Sequence, residues 1–202
     1  MACYTREQIE AAIHNKGYKW FDVGDYNLNI IGVRNTTTGK KVTNRFDDCI
    51  TLTYKIKKTW YFHCYPATTE PGNHWMMNLI NKQGSAILVP GQYFKTHKIG
   101  LHRGKYEALC QQKVLSVYRD KNKDLVYDTD TGQIDKGIFG INIHRATERP
   151  NAISALVDKW SAGCQVIASN SDWEHFITIC KKAADTWGNS FTYTLIESTD
   201  IK

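Results

Sequence analysis

Two adjacent segments with strand-like alternation constrain the fold of this chain most strongly. ITLTYKI (50–56) carries an apolar residue at every second position, and TWYFHCYP (59–66) follows after a connection of two residues. Alternation with period two predicts half-buried strands, and so short a connection predicts a hairpin. Further β-prone segments lie at 25–35, 85–93, 114–120, 137–144 and 191–198. The chain is therefore predicted to be mostly β.

Helical periodicity appears near each end of the chain. Residues 5–16 begin with a capping-box spacing and are predicted to form an amphipathic helix. A second helix is predicted from Ser171 to about Trp187, and a short one at 151–159. There is no internal repeat and no linker-like segment, so we predict a single α+β domain over 1–202, with one helix near each terminus.

Composition and charge exclude several functional classes. The 202 residues are 42% hydrophobic, as in ordinary globular proteins, and carry a formal net charge of +6 that suits an acidic partner. The basic residues are scattered and form no nucleic-acid-binding motif, so no nucleic-acid partner is predicted. No segment approaches the ~20 apolar residues of a membrane span. The first twenty residues lack the apolar segment of a signal peptide, so synthesis in the cytoplasm is expected.

The cysteines are widely and irregularly spaced. They are Cys3, Cys49, Cys64, Cys110, Cys164 and Cys180. No C-x-x-C pair occurs, which argues against a zinc site and against a redox pair, and free thiols are expected in a chain without a secretion signal. Five of these residues are predicted to pack as small hydrophobic side chains, and Cys164 is the exception.

The segment Ser161-Ala162-Gly163-Cys164 has the features of a nucleophile loop. A reactive cysteine needs an exposed sulfur on a tight turn, backbone N–H groups for an oxyanion, and a base within reach. Glycine beside the cysteine lets a substrate approach the backbone closely. The candidate base is His144, at the end of the apolar segment GIFGINIH (137–144). A structural cysteine at the head of an apolar segment is the alternative.

These two motifs together resemble the L,D-transpeptidase family. In that family a strand carries a histidine, and a Ser/Thr-His-Gly-Cys segment follows at a similar distance; here 16 residues separate His144 from Ser161. The segment FHCYPATTEPGNHWM (62–76) resembles the family more loosely. The resemblance covers 50–167, flanked by an N-terminal part (1–49) and a C-terminal part (168–202). It implies a β-sandwich of the L,D-transpeptidase type.

The resemblance also implies roles for five residues. Cys164 would accept the acyl group, His144 would be its base within hydrogen-bonding reach, and the Arg145 carbonyl would orient the imidazole. Gly163 and Cys164 would supply oxyanion N–H groups, and Ser161 would shape the loop. The sequence departs from the family at two positions. The histidine between Ser161 and Gly163 is Ala162, and the polar residue two positions after the cysteine is Val166.

Several residues near these motifs are predicted to bind substrate. They are Trp160, Asn142, His102 and Arg103, with Lys105 and Arg145 as further cations for a carboxylate. Solvated loop residues are the alternative for each of the cations, and a core position is the alternative for Trp160.

A polar segment resembles part of a calcium loop. Its ligand-like residues, at positions 1, 3, 5 and 9, are Asp120, Asn122, Asp124 and Asp128. Leu125 replaces the glycine of such a loop, and Thr131 replaces its final glutamate. An exposed polar turn is the alternative, and neither a metal nor a cofactor is predicted.

The resemblance implies a cysteine enzyme that acts on the stem peptides of bacterial peptidoglycan through a thioester. The chain has no signal, anchor or wall-binding repeat, which favours a hydrolytic, lysin-like or phage-type enzyme that reaches the wall after release or injection. Cross-linking by transpeptidation is one alternative. A structural or binding protein that keeps the fold without the chemistry is another, and Ala162 favours it. If the chemistry is present, rapid alkylation of Cys164 near neutral pH is expected.

Overall fold

The computed structural model of the protein describes residues 4–130 and 133–202, so Cys3 and Thr131 lie outside the described residues. Within these ranges, eight strands form a closed barrel, three form a second sheet, and three α-helices accompany them. Strands account for 39% of the residues and helices for 18%, so the protein is mostly β.

The elements follow one another along the chain with strands in the majority. The strands are β1 (Asn29–Arg34), β2 (Asp48–Ile56), β3 (Thr59–Thr68), β4 (Ser85–Leu88), β5 (Gly91–His102), β6 (Tyr106–Gln111), β7 (Leu115–Asp120), β8 (Ile134–Gly137), β9 (Ile143–Arg145), β10 (Gln165–Ile167) and β11 (Phe191–Glu197). The helices are α1 (Arg6–Asn15), α2 (Asn73–Met77) and α3 (Asn170–Trp187), with a 3₁₀ turn at Ser198–Asp200.

The predicted β-sandwich is wrong, because the main sheet closes on itself. Its strand order is β1-β11-β5-β6-β9-β10-β3-β2, and β2 pairs with β1 again; β4, β7 and β8 form the separate sheet. β1 pairs with β11, and β9 with β10, in parallel, and the other pairs are antiparallel. Closure leaves the main sheet without a free edge. The closing strands β1 and β11 lie outside 50–167, the segment that carries the family resemblance.

The predicted hairpin is confirmed. β2 and β3 pair in antiparallel fashion, with Tyr54 opposite Tyr61 and Ile56 opposite Thr59. The connecting Lys57 and Lys58 both have positive φ, 47° and 71°. Positive φ at both central residues is the geometry of a type I′ turn, whose twist matches that of paired strands.

The N-terminal helix covers one face of the barrel. α1 has the predicted capping box at Thr5 and Gln8, and its buried face packs on Ile31 and Val33 of β1. Ile30, which points to the opposite side, belongs to the main core. Because both faces of β1 are covered, every residue of this strand is buried.

Three local predictions need correction. The helix at 151–159 does not form, and α3 is capped by Ser169 instead of Ser171. The segment 137–144 is not one strand, because β8 ends at Gly137 and β9 begins only at Ile143. The residues between them turn at Gly140, where φ is +74°. No described helix is long and apolar enough to cross a membrane.

Candidate active site

The predicted nucleophile and base lie on adjacent parallel strands. In the β9–β10 pair, His144 is opposite Val166, and Cys164 immediately precedes β10. The Gln165 N–H donates to the Asn142 carbonyl at 2.8 Å. Side chains alternate between the two faces along a strand, so Cys164, two residues before Val166, is on the same side of the barrel wall as His144 but two residues away in register.

The nucleophile loop, residues 161–164, is held by internal hydrogen bonds. The Ser161 hydroxyl donates to the Cys164 carbonyl at 2.8 Å and accepts from the Gly163 N–H at 3.1 Å. Ser161 therefore shapes the loop. The Gly163 N–H is engaged inside the loop, so the oxyanion role expected of it is not available in this conformation.

Gly163 is required at its position for two reasons. Its φ of +125° is strained for any residue with a side chain, and a Cβ would lie 2.3 Å from the Ala86 carbonyl oxygen. Ala86 belongs to β4 of the smaller sheet. The loop is thus pressed against that sheet, which limits the conformations that Cys164 can adopt.

Cys164 is a protonated thiol at neutral pH. The residue is half-buried, and its Sγ donates to the Gly140 carbonyl at 3.3 Å. Burial raises the pKa of the Cys164 thiol to about 11, although the Asn142 backbone N–H and Arg103 oppose the shift. Cys64, Cys110 and Cys180 are also free thiols, as predicted.

His144 is a neutral base with a defined tautomer. Its Nδ1 lies 2.8 Å from the Arg145 carbonyl, the contact that the family resemblance implies, and 3.2 Å from the Tyr106 hydroxyl. A carbonyl can only accept, so Nδ1 carries the proton and Nε2 keeps its lone pair. Burial, then the neighbouring His102 and Arg103, lowers the pKa of His144 to about 3, against the Arg145 hydrogen bond.

Cys164 and His144, both among the described residues, form no hydrogen bond with each other. The thiol instead donates to the Gly140 carbonyl. Proton transfer to His144 therefore requires the Cys164 side chain to leave Gly140. Catalytic hydrogen bonds are often long or absent before substrate binds, so this geometry is compatible with a general-base pair.

Two neighbouring cavities open on the two residues. The nucleophile cavity, about 510 Å³, is lined by Cys164, Ala162 and Gly140 among others. The histidine cavity, about 590 Å³, is lined by His144 and Trp160 among others. His102 and Arg103 line both cavities. We refer to the two cavities together as the cleft; these two side chains are the lining that the cavities share.

The histidine cavity is basic. Arg103, Lys105, Arg149 and Lys159 line it, and Glu148 is the acidic lining residue. The predicted cation Arg145 also lines it but is already engaged. It lies 3.5 Å from Glu174 and 3.7 Å from Glu148, with its guanidinium 4.4 Å from the centre of the Tyr106 ring. The four remaining cations favour an anionic ligand.

Two other residues predicted to contact substrate, Trp160 and Asn142, each line one of the cavities. Trp160 is 44% exposed and lines the histidine cavity, so its position is a cleft wall and not the core. Asn142 lines the nucleophile cavity, but its amide is occupied by the Gln111 N–H and by His102. Its hydrogen bonds make Asn142 a positioning residue.

A buried polar network, missed by the sequence analysis, supports the nucleophile loop from behind. Gln165 donates to the carbonyls of Gly163 and Thr69 at 3.2 and 3.3 Å, and accepts from the Tyr193 hydroxyl at 2.7 Å. The Gly72 N–H donates to the Ser161 carbonyl at 2.9 Å. The segment around Thr69–Gly72 therefore sets the position of the loop.

That segment is held in turn by a buried charge cluster. Asp48 accepts from the Asn35 N–H, the Thr69 N–H and the Thr69 hydroxyl, at 2.7–2.8 Å. Arg34 donates to the carbonyls of Thr69 and Leu88. Its Nε lies 3.0 Å from Glu70 Oε1.

The charge cluster is neutral with one of its carboxyls protonated. The 3.0 Å contact between Arg34 and Glu70 favours an ionised Glu70. Burial, however, raises the pKa of Glu70 to about 8, whereas it raises the pKa of Asp48 only to about 6. One guanidinium balances one carboxylate, and Asp48 has the three donors. We therefore assign the negative charge to Asp48 and the proton to Glu70 at neutral pH.

The acidic segment after β7 shows no metal site. Within the described residues, no group of three or more His, Cys, Asp or Glu side chains is arranged to hold a metal ion. The Asn122 amide instead donates to Asp124 and Asp128 at 3.0 and 3.1 Å.

No family model, curated protein or solved structure matches this chain. The site must therefore be interpreted from its geometry and its motif.

The neutral thiol argues against the rapid alkylation expected from the sequence and leads to a testable pH dependence. We expect iodoacetamide to label Cys164 slowly at pH 7, because only the thiolate reacts. Below the thiol pKa, each pH unit changes the thiolate fraction about tenfold, so the labelling rate should rise roughly tenfold per unit from pH 7 to 9. Peptide mass spectrometry measures the rate at Cys164, with the Cys110 peptide as internal reference. A rate already constant at pH 7 would reveal a thiolate and contradict this assignment.

Proposed function

We propose that this protein is a cysteine-dependent acyl-transfer enzyme that acts on the stem peptides of bacterial peptidoglycan. The observation that carries the proposal is the pairing of β9 with β10. As a result, a thiol and a neutral imidazole of defined tautomer line two cavities that share His102 and Arg103. Nucleophile, base and orienting group are the three parts of a nucleophilic acyl-transfer site.

The proposed reaction starts from the neutral thiol and the neutral imidazole. Cys164 passes its proton to Nε2 of His144 as Sγ attacks the carbonyl carbon of the peptide bond. The C–N bond then breaks, the departing amine takes the proton from His144, and a thioester remains. Water or a second amine, deprotonated by His144, attacks the thioester, and Sγ leaves and regains its proton. The Arg145 carbonyl stabilises the transient imidazolium through Nδ1–H.

The cleft supports a peptide substrate with carboxylate groups. Arg103 lines both cavities, and Lys105, Arg149 and Lys159 line the histidine cavity. Trp160 offers an exposed aromatic wall in the same cavity. Stem peptides carry free carboxylates, which Arg binds through paired hydrogen bonds. The peptidoglycan assignment itself rests on the motif resemblance.

Hydrolysis is the proposed outcome of the thioester. Ala162 lines the nucleophile cavity, where the family motif has a histidine that could orient an acceptor. Val166, the second departure from the motif, is fully buried in β10 and has no part in the cleft. The proposal therefore depends on Ala162 alone. A cavity wall without this donor holds an amine acceptor poorly, and water then reaches the thioester.

Incubation with purified muropeptides tests the reaction and its outcome. We expect shortened stem peptides or cut cross-links, seen by mass spectrometry as products lighter than the input. Dimers heavier than the input, formed only with Cys164 present, would show that transpeptidation dominates. No change in mass with any muropeptide would contradict the proposed activity.

A binding protein without chemistry is the second candidate. The observations that favour it are the protonated thiol and its hydrogen bond to Gly140 in place of His144. Such a protein would bind muropeptides at the basic cavity and release them unchanged. Calorimetric binding without any product would support this candidate.

A further inference from the structure

The side chain of His102 is fixed by a neighbour whose own orientation is defined. The Gln111 N–H donates to the Asn142 side chain at 2.8 Å, which makes the contacted atom the amide oxygen. The amide nitrogen of Asn142 then faces His102 Nδ1 at 3.0 Å. An amide nitrogen only donates, so His102 Nδ1 accepts.

His102 therefore presents an N–H donor at a known ring atom. With Nδ1 accepting, the neutral ring carries its proton on Nε2. Burial, assisted by Arg103, lowers the pKa of His102 to about 4, so the ring stays neutral at pH 7. Within residues 4–130 and 133–202, no side chain or backbone group is hydrogen-bonded to His102 Nε2.

His102 lies between the nucleophile cavity and the histidine cavity. It lines both cavities, and its ring stacks on His144 with centroids 4.2 Å apart and an interplanar angle of 29°. Tyr106 packs on it at 5.4 Å. Ala162, which stands where the family motif has a histidine, lines the same nucleophile cavity. A histidine from the end of β5 thus lines the same cavity as Ala162.

We propose that His102 is a further catalytic residue, which donates its Nε2–H to the substrate carbonyl oxygen as Cys164 attacks. This inference rests on the proposed function. A neutral imidazole held as a donor stabilises an oxyanion without giving up its proton. It also supplies a donor to a site in which the Gly163 N–H is engaged by Ser161.

The stacking supports the same role. His144 becomes an imidazolium when it takes the thiol proton, and a charged neighbour would oppose that step. A neutral His102 ring opposes that charge less than a protonated ring would, although His102 and Arg103 both lower the pKa of His144. The charged or titratable neighbours of His102 include Arg103, Tyr106 and His144. Cys164 and Arg119 line the nucleophile cavity with it, and Lys105, Arg145, Glu148, Arg149 and Lys159 line the histidine cavity with it.

A matched pair of substitutions tests the donor. His102→Gln and His102→Met have similar length and volume, and only glutamine keeps an N–H donor. We expect His102→Met to lower kcat for muropeptides about 10²–10³-fold with little change in KM. His102→Gln should recover at least about tenfold of that loss, as one hydrogen bond to a charged oxygen is worth roughly 1.5–3 kcal/mol. His63→Met, in a histidine that lines neither cavity, should keep the parent kcat.

The outcomes separate the inference from the proposed function. Turnover that survives in Cys164→Ala would contradict the proposed function, and the role of His102 with it. If Cys164→Ala is inactive while the glutamine and methionine variants have equal kcat, only the donor role is wrong. Loss of cooperative unfolding in both His102 variants would make this histidine a structural residue and would also overturn the inference.

Discussion

Replacing Cys164 by alanine is expected to abolish turnover of muropeptides, by at least about 10⁴-fold in kcat, if the thioester mechanism holds. Removal of a covalent nucleophile leaves only binding and oxyanion stabilisation, which recover a small part of the rate. The free energy of unfolding should change little, by less than about 1 kcal/mol. The thiol is half-buried and donates a hydrogen bond to the Gly140 carbonyl, and truncating such a side chain is usually a small perturbation. Product mass and urea unfolding measure the two effects.

Cys110→Ala is the matched control for this variant. Cys110 is also a half-buried free thiol, on β6, and it lines neither cavity. Its replacement should leave kcat within about twofold of the parent, at a stability loss on the order of 1 kcal/mol. Equal activity of Cys164→Ala and the parent would end the nucleophile assignment.

Asp48→Asn is expected to cost about 3–5 kcal/mol of the free energy of unfolding, the largest loss of stability predicted here. The substitution removes the ionised carboxylate of a buried cluster, so Glu70 must release its proton at a buried position to balance Arg34, and breaking such a buried charge arrangement is strongly destabilising. In the parent, one carboxylate oxygen of Asp48 accepts from Asn35 and the other accepts from Thr69. The substitution replaces one of these oxygens with an amide nitrogen, which cannot accept a hydrogen bond. Urea denaturation at pH 7 measures the loss.

Glu70→Gln is the control within the same cluster. Burial raises the pKa of Glu70 from 4.5 to about 8, so the folded protein holds a proton that the unfolded chain releases. The stability linked to Glu70 is therefore complete below about pH 4.5 and is lost as pH rises through about 8. Relative to the parent, Glu70→Gln should become steadily more stable over that range. Equal losses for Asp48→Asn and Glu70→Gln at pH 7 would contradict the assignment of the proton to Glu70.

Local sequence signals predicted the elements that depend on neighbouring residues. Alternation within 50–66 predicted the β2–β3 hairpin, and the spacing of Thr5 and Gln8 predicted the capping box of α1. Both structures are formed by contacts between residues close together in the chain. The motif also pointed to Cys164 and His144 together, because each lies next to a recognisable apolar segment. The two segments contribute the paired strands β9 and β10.

Local sequence signals did not predict that the main sheet closes into a barrel. A strand in a sandwich and a strand in a small barrel both alternate between an inner and an outer face, so their sequences have the same period. The difference lies in the neighbours of each strand. Only the pairing of β11 between β1 and β5 closes the sheet, and it joins residues more than 90 positions apart.

The sequence by itself determined the candidate residues of the site, because a thiol, an imidazole and a residue without a side chain are properties of single positions. The tertiary structure alone decided their state. Burial makes His144 and Cys164 neutral, and Asn142 turns His102 into a donor. Protonation and orientation depend on what surrounds a group in space, and these neighbours come from segments distant in the chain.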